Sequence, residues 1–145
     1  MIISEVLTVK GGEIFDILPD QGVPKAIALM VEHDIGSLVV RGDDGRMVGL
    51  LTERDVIRTL YNRGCDLVNL KVSDLMITEP IIGHTDDTID YVRGVMTDHR
   101  ISHLPVLEGE SLLGIISFYD VAKACLKEAS FENRLLKRYI KHWPE

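Results

Sequence analysis

The stretch Gly49-Leu50-Leu51-Thr52-Glu53-Arg54-Asp55 returns 65 residues later as Gly114-Ile115-Ile116-Ser117-Phe118-Tyr119-Asp120. Just upstream, Ile35-Gly36-Ser37-Leu38-Val39-Val40 matches Ile101-Ser102-His103-Leu104-Pro105-Val106 at an offset of 66. Blocks that recur in the same order indicate an internal duplication, in which each copy forms the same structural unit. The chain is therefore predicted to contain two copies of one fold.

Each copy is predicted to fold as β-α-β-β-α, which makes the chain a mixed α/β (α+β) protein. Pro24 suits the first turn of the first copy's leading helix, and Thr88 can cap its counterpart. The extended segments that open the copies are placed at 14–17 and 80–82, and Pro105 indicates an edge strand or an irregular strand start. The predicted division is 1–64 for the first repeat, 65–72 for a linker, 73–127 for the second repeat and 128–145 for a C-terminal helix extension.

A long C-terminal helix is predicted because no Gly or Pro occurs from Ser117 to about Lys141. Its apolar side chains recur at helical spacing at Phe131, Leu135, Leu136, Tyr139 and Ile140. An apolar face that outruns the core needs a cover, either a second copy in a homodimer or the chain's own body.

Composition limits the classes of function. The chain has 145 residues, 46% hydrophobic and 27% charged, as in globular proteins. A net charge of −7 argues against general binding to nucleic acid or to an anionic membrane. We expect neither a signal peptide nor a membrane span, and two cysteines without a disulfide pattern fit a reducing, cytoplasmic location.

The strand-to-helix junction of each copy carries a hydroxyl and, three residues later, a carboxylate: Thr52 with Asp55, and Ser117 with Asp120. One interpretation is a helix cap, in which both groups satisfy backbone N–H groups. The other is a nucleotide site, because a helix N-terminus attracts phosphate and a carboxylate can accept hydrogen bonds from a ribose diol. The pattern alone leaves both open.

In these residues the chain resembles the tandem CBS-domain modules, named for cystathionine β-synthase. The resemblance covers nearly all of residues 3–127 and rests on Asp74-Leu75-Met76, on Arg100-Ile101-Ser102-His103-Leu104-Pro105-Val106 and on the two junction motifs. It implies two β-α-β-β-α repeats packed through their sheets with pseudo-two-fold symmetry. It also implies adenosine derivatives bound in two clefts between the repeats.

The resemblance assigns site residues to each cleft, with Asp55 and Asp120 toward ribose and Thr52 and Ser117 toward phosphate. Cleft one is expected to comprise Thr52, Arg54, Asp55, Thr78, Pro80, Ile81, Arg100, Ser102 and His103. Cleft two is expected to comprise Ile14, Phe15, Asp16, Gly36, Ser37, Ser117, Tyr119 and Asp120. Arg54 either reaches a phosphate or lies on a solvated face, and Tyr119 either stacks on a base or packs at the helix start.

The two clefts are not equivalent in charge. Cleft one has more cationic and donor groups, whereas Asp16 and Asp34 near cleft two would repel phosphate if they face it. We therefore expect AMP-like ligands of little charge, or one occupied site. ADP, ATP, NAD(H) and S-adenosylmethionine stay open.

The leading functional hypothesis is a non-catalytic regulatory sensor of an adenine nucleotide. The repeats occupy the chain apart from its last helix, so we expect it to act in trans on an effector protein. The alternative is a structural or interaction dimer that binds no nucleotide. An enzyme is disfavoured, because we find no catalytic triad pattern and no P-loop, and the five histidines show no metal-ligand spacing.

Overall fold

A computed structural model describes residues 1–132 of the chain. Its helices are α1 (Ile3–Lys10), α2 (Val23–His33), α3 (Glu53–Asn62), α4 (Val72–Leu75), α5 (Ile89–His99) and α6 (Phe118–Glu132). Its strands are β1 (Asp16–Ile17), β2 (Ser37–Arg41), β3 (Met47–Thr52), β4 (Gly83–His84), β5 (His103–Glu108) and β6 (Ser111–Ser117). The predicted C-terminal helix is present as α6, and its predicted continuation to Lys141, with Leu135, Leu136, Tyr139 and Ile140, lies outside the described residues.

The described chain forms two three-stranded sheets of the same topology. In each sheet the short first strand runs parallel to the central strand, which pairs antiparallel with the third, in the orders β1-β2-β3 and β4-β5-β6. Both central strands carry an irregularity, at Val40/Arg41 and at Val106/Leu107, which are 66 positions apart. The predicted duplication and the mixed α+β fold are confirmed.

The helices that precede the central strands begin as their sequences predict. Pro24 lies in the first turn of α2, and the Thr88 hydroxyl accepts a hydrogen bond from the Tyr91 N–H at 3.1 Å. Both helices end on a left-handed residue, Asp34 with φ +52° and Arg100 with φ +54°. This conformation closes a helix and turns the chain, so that each residue stands at the entrance to a central strand.

Two connectors, the segments that contain α1 and α4 and precede the first strand of each repeat, cross between the repeats. In α1, Ile3 and Val6 are buried in the second repeat's core, and the Ile3 N–H donates to the Asp87 carbonyl. Conversely, Val72 of α4 is buried in the first repeat's core, and its N–H donates to the Gln21 carbonyl. Helix α1 therefore packs in the second repeat, although the linear division places it in segment 1–64; the division itself stays a prediction.

Glycines recur where a connector touches the third strand of a sheet. At Gly49 an added methyl group would lie 2.8 Å from Met76 Sδ and 2.9 Å from the Ile77 carbonyl oxygen. At Gly114 it would lie 2.8 Å from Leu7 Cδ2. The glycine of each junction motif thus admits the crossing connector, which brings the two repeats together.

Two local predictions were wrong. The opening strand of the second repeat is Gly83–His84, not 80–82. It pairs with Val106 and Leu107, one position further along than β1, whose partners Val39 and Val40 correspond to Pro105 and Val106, because Pro105 has no N–H to donate to the first strand. Pro105 lies in a central strand, opposite Ile115. That position tolerates a residue without an N–H because β4 pairs only with the two residues that follow it.

Candidate functional site

Two cavities open between the repeats, and each is lined by residues of both. The cavity at the first junction motif, cleft one, measures about 410 Å³, and the cavity at the second, cleft two, measures about 550 Å³. Both lie at the start of a helix, α3 or α6, where free backbone N–H groups and the helix dipole favour anionic groups.

Cleft one brings together all of its predicted residues except Thr78. Those that line it are Thr52, Arg54, Asp55, Pro80, Ile81, Arg100, Ser102 and His103. The chain around Thr78 instead pairs with β3, where Ile77 and Leu50 exchange two backbone hydrogen bonds of 2.8 and 2.9 Å. The lining residues that sequence reasoning missed are Leu50, Arg58, Ile77, Glu79, His99 and Ile101.

The start of α3 shows the complete capping geometry. The Asp55 N–H donates to Thr52 Oγ1 at 3.3 Å, while the Thr52 N–H and hydroxyl donate to Asp55 Oδ2 at 2.9 and 2.8 Å. The cap interpretation is therefore correct for the local structure. The same two half-buried residues also line cleft one, so capping fixes the carboxylate at the cavity wall.

Three guanidinium groups surround cleft one, from Arg54, Arg58 and Arg100, with the carboxylates of Asp55 and Glu79. Arg54 Nη1 donates to the Arg100 carbonyl at 2.9 Å, which ties the start of α3 to the end of α5 across the repeats. Arg58 lies one helical turn after Arg54, and this i, i+4 spacing is a signal that sequence reasoning could have used.

Cleft two brings together six of its eight predicted residues: Ile14, Phe15, Gly36, Ser37, Ser117 and Tyr119. Asp16 is absent from its wall because successive residues of a strand point to opposite sides. The Asp16 carboxylate instead accepts a hydrogen bond from Arg41 Nε at 2.8 Å. Of the two carboxylates expected to repel phosphate, only Asp34 faces the cavity, where Glu13 and Glu53 join it.

Asp120, the eighth predicted residue of cleft two, is covered by Lys10 at the end of α1. Lys10 Nζ donates to Asp120 Oδ2 at 2.6 Å and to the Ile115 carbonyl. Burial raises the pKa of Asp120, but the hydrogen bonds from Lys10 and Ser117 outweigh it and leave the pKa below its ordinary value. Sequence reasoning missed Lys10, because no pattern links two residues 110 positions apart.

The imidazole of His103 forms a wall shared by the two cavities. It fits because Gly36 has no side chain; a methyl group there would lie 2.9 Å from His103 Cε1. The Ser102 hydroxyl lies 3.0 Å from His103 Nδ1. Burial lowers the pKa of His103 and outweighs the opposing pull of the Glu53 carboxylate, so that the neutral ring is favoured.

The described part of the chain contains no group of His, Cys, Asp or Glu side chains that could hold a metal ion. Within residues 1–132, no helix has both the length and the apolar character needed to cross a membrane.

Comparison with known proteins identifies the repeated unit. The family model for the CBS domain matches residues 13–62 and 72–127. The CBS domain-containing protein CBSX3, mitochondrial, of Arabidopsis thaliana is 34% identical over 95% of this chain and 71% of that protein.

Solved structures share the arrangement of both repeats. The CBS-domain containing protein ATU1752 from Agrobacterium tumefaciens is 32% identical and superimposes with a TM-score of 0.82, over 86% of this chain and 92% of that chain. The CBS domain pair of protein MJ0100, in complex with 5′-methylthioadenosine and S-adenosyl-L-methionine, shares the fold with a TM-score of 0.77 at 19% identity, over 88% and 98% of the two chains. Because the family model matches both copies of the duplicated sequence, the protein belongs to the CBS-domain family and is a tandem pair of CBS repeats.

Proposed function

We propose that the protein is a non-catalytic regulatory module that binds an AMP-like adenosine ligand in cleft one and acts in trans on an effector protein. The observation that carries the proposal is the position of Asp55 and Thr52. Both lie at the N-terminus of α3, on the wall of a cavity that also holds three arginines.

Each part of the ligand finds complementary chemistry in cleft one. The Asp55 carboxylate can accept hydrogen bonds from the two hydroxyls of a ribose. The guanidinium groups and the N-terminus of α3 suit a phosphate group. The apolar side chains of Leu50, Ile77 and Ile101 line the same cavity and can pack against an adenine ring.

The balance of charge favours a ligand with a single phosphate. Three arginines face two carboxylates in cleft one, a small positive surplus. A triphosphate would bring more negative charge than this surplus matches. AMP is therefore the preferred ligand among those that the family resemblance allows, ahead of ADP, ATP, NAD(H) and S-adenosylmethionine. The adenosine-type ligands bound by MJ0100 support the ligand class through a shared fold.

The second candidate function is a structural or interaction dimer without a nucleotide ligand. The completed cap favours it, because Thr52 and Asp55 already satisfy each other within α3. Under this hypothesis the carboxylate at the cavity wall serves only the helix.

Thermal unfolding with a panel of adenine nucleotides separates the two functions. A ligand at 100 times its Kd stabilises the native state by about 2.7 kcal/mol, which raises the melting temperature by several degrees. We expect this shift with AMP for the wild type and for Asp120→Ala, the matched variant at the other junction. Asp55→Ala should lose it. A folded wild type that no adenosine ligand stabilises would leave the interaction dimer as the function.

We also propose a homodimer. Within the described residues, α2 and α3 expose Val31, Ile57 and Tyr61, which are 74%, 63% and 88% accessible. Light scattering of the wild type should give twice the mass of the chain, and Ile57→Asp should give a monomer. The free thiols of Cys65 and Cys125 suit the cytoplasmic location that we propose.

A further inference from the structure

The two connectors make different contacts with the junction carboxylates Asp55 and Asp120. After α4 the chain turns at Met76, and Ile77 pairs with Leu50, so that Asp55 stays on the wall of cleft one. Helix α1 is longer and ends on Lys10, whose ammonium group reaches Asp120 and the Ile115 carbonyl. The duplicated fold therefore leaves one carboxylate facing its cavity and covers the other.

The ion pair occupies the place that a ribose diol would need. Lys10 Nζ lies 2.6 Å from Asp120 Oδ2, which also accepts the Ser117 N–H at 2.9 Å. The Lys10 side chain is 33% accessible and that of Asp120 only 15%, so solvent screens this pair less than a surface pair. A diol that binds Asp120 through Oδ2 must first displace the ammonium group.

The rest of cleft two disfavours a phosphate. At equivalent positions of the repeats, Arg54 of cleft one corresponds to Tyr119, and Arg100 corresponds to Asp34. With Glu13 and Glu53, three carboxylates face the cavity, and Lys10 is the only Lys or Arg on the described wall. An anionic ligand would meet repulsion there even after Lys10 moved aside.

We propose that Lys10 determines which cleft is used: its ammonium group takes the place of a ribose on Asp120, so that the chain binds one adenosine ligand, in cleft one. This inference rests on the proposed function of cleft one. In this inference the Lys10 ammonium group competes with a ribose diol for the Asp120 carboxylate. When the Lys10–Asp120 ion pair is absent, cleft two should bind only uncharged nucleosides.

The test uses adenosine and AMP as probes, measured by calorimetry on the full chain. In the Asp55→Ala background, where cleft one lacks its carboxylate, adding Lys10→Met should make adenosine bind about tenfold more tightly, the effect of removing a competing interaction of about 1.4 kcal/mol. AMP should gain little, because Glu13, Asp34 and Glu53 remain. Lys10→Gln is a second variant, and far-ultraviolet circular dichroism verifies that each variant is folded.

Lys123→Met is the matched control in the same background. Lys123 lines the neighbouring cavity together with Lys10 and Asp120, so its removal changes the local charge equally. It should not improve adenosine binding. If Lys10→Met and Lys10→Gln fold but leave adenosine affinity at the Asp55→Ala level, the role of Lys10 is wrong while the function of cleft one stands. If the wild type binds neither probe, the proposed function fails, and the inference fails with it.

Discussion

Thr52 illustrates how one set of atoms can serve both a helix and a cavity. Its hydroxyl accepts the Asp55 N–H and donates to the Asp55 carboxylate, while its side chain lines cleft one. Thr88 makes the same kind of cap on α5, with Tyr91, but does not line either cleft. Comparing Thr52 with Thr88 therefore distinguishes the contribution of a helix cap to stability from a contribution to ligand binding.

We expect Thr52→Ala and Thr88→Ala each to lower the free energy of unfolding by about 1 kcal/mol, the usual cost of a lost N-cap. Only Thr52→Ala should weaken AMP binding, because only Thr52 lies on the cavity wall. Urea unfolding and calorimetry measure the two effects. Equal losses of affinity in both variants would mean that the hydroxyl of Thr52 has no contact with the ligand.

His103 carries the pH dependence that can be argued for a single residue. Burial holds its pKa below the ordinary value, so the unfolded chain takes up its proton at a higher pH than the native chain does. The contribution to stability is complete above the unfolded pKa of about 6.5 and is lost as the pH falls through that value toward the folded pKa.

The wild type should therefore lose more stability than His103→Gln between about pH 7.5 and about pH 5. Urea unfolding at a series of pH values measures the free energy of unfolding of both proteins. Subtracting one profile from the other removes the contribution of the other histidines, which both proteins share. Parallel pH profiles for the two proteins would show that His103 does not titrate differently in the folded state.

At the scale of elements, local signals were sufficient where the interaction is local. Thr88 and Pro24 mark the starts of α5 and α2 because caps and first turns involve neighbours in sequence. The internal repeat predicted the same order of strands and helices in both copies, since the two stretches of sequence correspond. The predicted position of β4 was wrong because its two residues are determined by their pairing with β5, which the local sequence pattern does not show.

In the candidate site, too, the residues that were predicted wrongly or missed are those whose positions depend on contacts distant in sequence. Most predicted lining residues lie in the cavities because the family resemblance carries the geometry of the clefts. Asp16 was misplaced because the alternation of a two-residue strand depends on its pairing. Lys10 could not be found, since its contact with Asp120 depends on where the crossing connector ends.

The glycines of the junction motifs give a prediction about those connectors. An alanine at Gly49 would meet the backbone oxygen of Ile77 at 2.9 Å, whereas at Gly114 it would meet only the tip of the Leu7 side chain, which can rotate. We expect Gly49→Ala to cost about 2 kcal/mol of stability and Gly114→Ala less than about 1 kcal/mol. Urea unfolding of both variants measures the costs, and equal values would contradict this difference between backbone and side-chain contacts.

At the scale of the whole molecule, the crossing connectors make each repeat depend on a segment that precedes the other. Ile3 completes the core around β5, and Val72 completes the core around β2. Backbone hydrogen bonds hold both connectors, through Ile3 to Asp87 and through Val72 to Gln21. Because neither core is complete without the crossing, the repeats should unfold as one cooperative unit.

Native-state hydrogen exchange measures this coupling. Ile3 is fully buried, so Ile3→Ala should destabilise the protein by about 2–5 kcal/mol. In a single cooperative unit, the slowest amides of β2, in the other repeat, should lose as much protection as those of β5. Val72→Ala is the reciprocal variant and should affect β5 as much as β2. If each substitution accelerates exchange only in the sheet whose core contains the substituted residue, the repeats are independent folding units. Ligand binding in one cleft could then not affect the other cleft through the global stability of the protein.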